Sequence, residues 1–196
     1  FVGRERELAE LERILCSDCN MARTVSLYGR RRIGKTTLLE RFCEGRRSIF
    51  LSMIPGSVRQ NLTRIEMTMD ATFGEGHSFP DFDSFLSELG DLVQERTVVV
   101  FDELPYLLDG SDTVAGQLQH FIDLVLNKTD SMLIVCSSAV SSMESNLDDP
   151  RKPLYRRFMH RIELGPLSLA DTRALHPGMT DLDVVKTYLV AGGTPQ

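Results

Sequence analysis

The chain has 196 residues, 42% of them hydrophobic, and a formal net charge of −6 at neutral pH. That length and apolar share suffice for one ordinary globular core, and no run approaches the roughly 18 consecutive apolar residues of a membrane span, so a soluble class is expected. The charge is uneven, with 11 basic and 7 acidic side chains in residues 1–50 against 11 and 21 in residues 51–196; this pattern fits one local anion site and argues against a broad basic face for nucleic acid.

Four cysteines, Cys16, Cys19, Cys43 and Cys136, are too few for a disulfide scaffold and predict a reducing, cytoplasmic setting. Cys16 and Cys19 form an isolated CxxC without a second ligand pair, so zinc or redox chemistry is not expected of them. The chain opens on Phe1 rather than Met, which leads us to expect a piece of a longer protein.

In chain order, Glu5 to Leu15 places Leu8, Leu11 and Leu15 on one stripe of a helix. Thr24 to Tyr28 reads as a short strand, Lys35 to Cys43 as a helix and Ser48 to Ser52 as a second strand. Residues 57–96 read as mostly helical, broken by the turn-rich FGEGHSFPDFD. Thr97 to Asp102 (TVVVFD) is an uninterrupted β-branched run, expected of a strand covered on both faces. Val114, Leu118, Phe121, Ile122 and Val125 share a helical face; Met132 to Cys136 is another buried strand, and His160 to Leu164 a fifth. The tail from Ser168 reads as helical. Strands alternating with helices predict an α/β fold with a parallel sheet and helices on both faces.

The densest positive charge lies in GRRRIGKT, Gly29 to Thr36, which satisfies GxxxxGK[ST] between a strand and a helix. Glycines let successive backbone amides curl round an anion, and the helix N-terminus adds partial positive charge. The loop Gly29, Arg30, Arg31, Arg32, Ile33 and Gly34 is thus expected to cradle a nucleotide's phosphates. Lys35 would reach the β- and γ-phosphates, Thr36 would bind Mg²⁺, and Thr37 is placed for the α-phosphate. The three arginines read either as a solvated crown or as contacts to phosphate or to a neighbouring acidic surface.

VVVFDE, Val98 to Glu103, supplies the partner element. Asp102 at a strand end is expected to hold Mg²⁺ through water, and Glu103 to orient and deprotonate an attacking water. MLIVCSS ends in Ser137 and Ser138, where a hydroxyl would either touch the γ-phosphate or merely make a turn; Ser137 is the candidate. NKTD, Asn127 to Asp130, matches the guanine-reading NKxD. It follows a helical pattern rather than a strand, no DxxG follows the acidic strand, and only six residues separate Asp130 from Ser137. A helix end explains it, and GTP is not expected.

FVGRERE, YGRRRIGKTTLLERF, VVVFDELPYLL, PLYRR and GGTPQ together resemble the prokaryotic "archaeal ATPase" family, P-loop ATPases of the STAND and origin-recognition type within the AAA-like group. The resemblance spans almost the whole chain. It implies a P-loop NTPase sheet of order 5-1-4-3-2, with Val2 and Arg4 near adenine and Pro195 approaching the base from the other side. Arg156 and Arg157 look like candidates for the γ-phosphate-sensing arginine, in cis or across subunits of a homo-oligomer. Relatives usually end the sensor strand in Gly-Ser, whereas Cys136 and Ser137 stand here, which weakens the Ser137 assignment. The resemblance implies an ATPase core over 1–166 and the start of a C-terminal helical lid over 167–196. The expected function is an ATP- and Mg²⁺-dependent switch with slow turnover. The rival is a nucleotide-gated binding module that recruits DNA or a protein partner through a C-terminal region, with little turnover.

Overall fold

The computed structural model describes residues 2–17, 21–109 and 111–195. Five strands, β1 (Arg23–Tyr28), β2 (Ser48–Ser52), β3 (Val98–Asp102), β4 (Met132–Ser137) and β5 (His160–Glu163), form one sheet of order β2-β3-β4-β1-β5 in which every pairing is parallel. The expected order is therefore the observed one.

Side chains of the central strands alternate between two cores. Val98, Val100, Met132, Ile134, Val25 and Leu27 pack with α1 (Glu5–Leu15) and α2 (Lys35–Cys43) on one face. Val99, Phe101, Leu133 and Val135 face the larger cluster, built with α3 (Val58–Phe73), α4 (Phe82–Leu92), α5 (Pro105–Leu108), α6 (Asp112–Leu124) and α7 (Val140–Asp148). Every residue of β3 and β4 is buried, which is why those segments read as unbroken apolar runs rather than alternating ones. The α3 and α4 starts are fixed by capping boxes, Ser57 with Gln60 and Asp81 with Ser84, each satisfying amides the helix leaves unpaired.

Because all five strands run the same way, their N-terminal ends share one edge of the sheet and their C-terminal ends the other. After β1 the chain crosses to β2 on one side, and after β4 it crosses over β1 to β5 on the other. The crevice beyond the C-terminal ends of β1 and β4 is thus a topological switch point, the position where open α/β sheets bind ligands. The tail folds back towards it: α8 (Leu169–Leu175) packs on α9 (Asp181–Ala191), and the Leu167 amide donates to the Gly193 carbonyl at 2.9 Å. Among the described residues no helix is long and apolar enough to cross a membrane.

Candidate functional site

The loop from Gly29 to Gly34 rises from β1 at that crevice. Gly29 is required by packing, since a Cβ there would lie 2.5 Å from the Leu164 carbonyl oxygen. Gly34 sits at φ +92 as the residue that turns the loop into α2, a backbone state glycine adopts without steric cost. Arg32 takes φ +64 despite its side chain, a strained conformation of the kind retained at ligand-binding loops. Ile33 points inward and is 2% exposed in the α1–α2 core, so it anchors the loop from beneath.

A cleft of about 510 Å³ opens above the loop. Arg31, Arg32, Gly34, Lys35, Thr36 and Thr37 form one wall, Glu103, Tyr106 and Ser138 the other, and Pro195 closes one side. Lys35 is buried and its Nζ donates to the carbonyls of Gly29 at 2.8 Å and Arg30 at 2.9 Å. Thr36 Oγ1 donates to Asp102 Oδ2 at 2.8 Å. The other carboxylate oxygen, Asp102 Oδ1, is buried without a hydrogen-bond partner. An unpaired buried carboxylate oxygen is costly. A hydroxyl and a carboxylate meeting at the start of a phosphate-loop helix are the oxygen donors Mg²⁺ takes, so these residues fit that cation. Behind them the Cys136 thiol is fully buried; burial, and then the Asp102 charge beside it, push its ionisation well up, so it stays a neutral packing group.

Glu103 adopts φ +56, and its Oε2 accepts the Ser138 amide N–H at 3.1 Å. Strain at this residue, directly after the strand, aims its carboxylate across the cleft instead of along α5. Arg31 reaches over from the loop, donating to the Tyr106 hydroxyl at 2.9 Å.

The structure thus brings together Arg31, Arg32, Gly34, Lys35, Thr36, Thr37, Asp102, Glu103 and Pro195, all expected from sequence. Several expectations are corrected. The Ser137 hydroxyl is fully buried and closed into its own turn, accepting from the Ala139 amide at 2.9 Å; its neighbour Ser138 lines the cleft instead. Ser138 follows the last residue of β4 and faces the other way.

Arg156 and Arg157 stand at the wrong edge of the sheet for a role in cis. The Arg157 carbonyl accepts the hydroxyl of Thr24, the second residue of β1, while its guanidinium grips Asp123 at 2.8 and 3.0 Å. The cleft begins four residues further along β1, about 13 Å away at 3.3 Å per residue. Arg156 is exposed and lies over the Tyr155 ring.

Arg4 is 5% exposed, and one of its guanidinium nitrogens donates to the carbonyls of Ile33 at 3.0 Å and Gly165 at 2.8 Å. It braces the phosphate loop from behind. Val2 and Arg30 do not line the cleft. The NKTD residues lie at the N-terminal edge, where Asn127 Oδ1 accepts the Ala22 amide and Asp130 pairs with Arg23 at 3.1 Å; they hold the start of β1. Cys19 of the CxxC lies outside the described residues, Cys16 is exposed, and among the described residues no group of three or more His, Cys, Asp or Glu side chains is arranged to hold a metal.

Sequence reasoning missed Tyr106 and its bond to Arg31. The available signal was its spacing, three residues after Glu103 in ELPY with Pro105 starting the helix.

Comparison with known proteins agrees with this architecture. An uncharacterized protein of Methanocaldococcus jannaschii is 28% identical over 195 residues, which is 100% of this chain and 42% of that protein; the chain therefore spans less than half the length of this relative. The Walker-type ATPase of Pyrococcus abyssi superposes with a TM-score of 0.76 at 20% identity, covering 100% of this chain and 65% of that one. A signal transduction ATPase with numerous domains (STAND) from Pyrococcus horikoshii, which carries a tetratricopeptide repeat sensor, gives 0.58 at 16% identity, over 100% of this chain and 28% of that one. These likenesses establish the P-loop ATPase fold. The sequence model of an ATPase domain found predominantly in Archaea matches residues 1–196 in full, and the chain belongs to that family.

Proposed function

We propose that this domain binds ATP with Mg²⁺ and hydrolyses it slowly, as a molecular switch within a longer cytoplasmic protein. The observation that carries the reading is the Thr36–Asp102 hydrogen bond beside the unpartnered Asp102 Oδ1, at a cleft lined by Gly34 and Lys35 of a GxxxxGK[ST] loop. When bound there, Mg²⁺ would draw charge from the β- and γ-phosphate oxygens. The protein supplies the rest. Loop amides and the α2 N-terminus receive the phosphate tail, Lys35 exchanges its two carbonyl partners for phosphate oxygens, and Glu103 takes the proton of an attacking water. Ser138 is placed to position that water or the terminal phosphate. Pro195, which closes one side of the cleft, would border the adenine, and α8–α9 would begin a lid over 167–196.

Phosphate release under multiple turnover, with and without EDTA, tests the proposal. Loss of turnover on chelation and its absence in Lys35→Ala are the expected results.

One observation favours the rival reading, a nucleotide-gated module that recruits a protein or DNA partner with little turnover. The Glu103 Oε2 accepts the Ser138 amide, so the alignment of the base on a water depends on what happens at the end of β4. If ATP binds but no phosphate appears with or without DNA, the module reading replaces the enzyme.

A further inference from the structure

We propose that Tyr106 and Arg31 form a clamp that tells a nucleoside triphosphate from a diphosphate, with Arg31 meeting the terminal phosphate in cis and Tyr106 positioning it. The inference rests on the reading of the cleft as an ATP site.

The two residues come from opposite walls. Arg31 is the third residue of the phosphate loop and is exposed, so its long side chain is held by its partner rather than by packing. Tyr106 is half-buried on a short, firmly seated element. Pro105, Leu107 and Leu108 around it are buried, its amide donates to the Glu103 carbonyl at 3.1 Å, and the preceding Leu104 amide donates to the Cys136 carbonyl at 3.2 Å. The ring is thus a fixed post three residues from the proposed base. The Arg31–Tyr106 bond, 2.9 Å long, spans the cleft at its Glu103 side, which is where a third phosphate would extend beyond Lys35 and Thr36.

The chemistry of the post matters. A phenol accepts one N–H and leaves the guanidinium its full charge and its other donors, where a carboxylate would have neutralised it. A guanidinium oriented in this way can take two phosphate oxygens at once. An arginine at the terminal phosphate is the group that phosphoryl-transfer sites use against developing charge. Arg156 and Arg157 lie at the opposite edge of the sheet; Arg32 shares the wall with Arg31, but it is Arg31 that is bonded across the cleft. The fold therefore already holds an arginine where that charge would form.

The test compares Arg31→Ala, Tyr106→Phe and the double variant with the unaltered chain, measuring affinity for a non-hydrolysable ATP analogue and for ADP with Mg²⁺, together with kcat and KM. Loss of a charge-assisted phosphate contact predicts that Arg31→Ala weakens triphosphate binding about 10- to 100-fold while ADP affinity moves less than about threefold. Tyr106→Phe keeps the ring and removes only the hydroxyl; the triphosphate-to-diphosphate preference should fall about three- to tenfold, with kcat falling alongside and the thermal midpoint unchanged. In the double variant the effect should not exceed that of Arg31→Ala alone, since the tyrosine acts only through the arginine. Equal losses for ATP and ADP in Arg31→Ala, or additive losses in the double variant, would overturn the clamp. If the unaltered chain binds neither nucleotide, the ATP reading itself fails; if it binds both and the variants leave the preference intact, only the clamp fails.

Discussion

The two edges of the sheet are built from the same residue types and treat them in opposite ways. At the N-terminal edge the polar groups are matched. Asn127 takes the Ala22 amide, Asp130 takes Arg23, Asp123 takes Arg157, and the Ser131 hydroxyl accepts the Thr97 amide at 2.9 Å while donating to the Val93 carbonyl at 2.8 Å. At the C-terminal edge an aspartate oxygen is orphaned, a lysine sits on carbonyls of its own loop, and Arg32 and Glu103 carry left-handed backbone. Matched polar groups hold a fold together; unmatched, strained ones persist only where the rest of the structure over-determines them, and they mark the place where a ligand acts. Two motifs that look functional in sequence, NKTD and PLYRR, belong to the matched edge, although Arg156 in the second also takes φ +56, so it is the orphaned Asp102 oxygen rather than backbone strain that separates the two edges.

The contrast predicts that substitutions at the C-terminal edge change function and spare stability, and that those at the N-terminal edge do the reverse. The largest effect is expected for Lys35→Ala, which should cost at least about 100-fold in ATP affinity by calorimetry, the scale of losing two charge-assisted hydrogen bonds. Next comes Glu103→Gln, which should keep ATP affinity within about threefold and lower phosphate release by roughly 10² to 10⁴; retained turnover would remove Glu103 from its role. At the other edge Asn127→Ala leaves the Ala22 amide unpaired and should cost about 1 kcal/mol in urea unfolding without altering nucleotide affinity. Arg157→Ala breaks a pair that is about one-third exposed on each side, so a loss near 1 kcal/mol or less is expected, again with unchanged turnover. A fall in turnover without loss of stability would break the comparison at that point. The smallest effect belongs to Ser26→Ala. The Ser26 hydroxyl is buried in β1 without a partner, so its removal should shift the thermal midpoint by only a degree or two, in either direction.

Much of this was legible in the sequence because the signals were local. Strand runs such as VVVFD, the glycine-lysine loop and the helix stripe of α1 are set by adjacent residues, and the observed bounds fall within a residue or two of the reading. The sheet order came from family resemblance, since periodicity does not say which strands pair. What escaped depended on contacts distant in sequence or on alternation at a strand end. The resemblance of PLYRR to the family pattern points Arg157 at the cleft, while its actual position follows from Asp123, 34 residues earlier. Ser137 ends β4 and closes into its own turn, while Ser138, one residue past the strand, lines the cleft. The Arg31–Tyr106 bond joins residues 75 apart; the spacing in ELPY points to Tyr106 but not to its partner.

Arg4 joins segments that are 29 and 161 residues away from it in the chain. Arg4 can reach the Ile33 carbonyl as soon as the loop is made, but its second anchor forms only after Gly165 has been synthesised and has reached the sheet. A fragment ending before that point should carry the glycine-lysine loop and both acidic residues yet hold nucleotide poorly, so the bracing of the cradle is completed only with the fifth strand of the sheet.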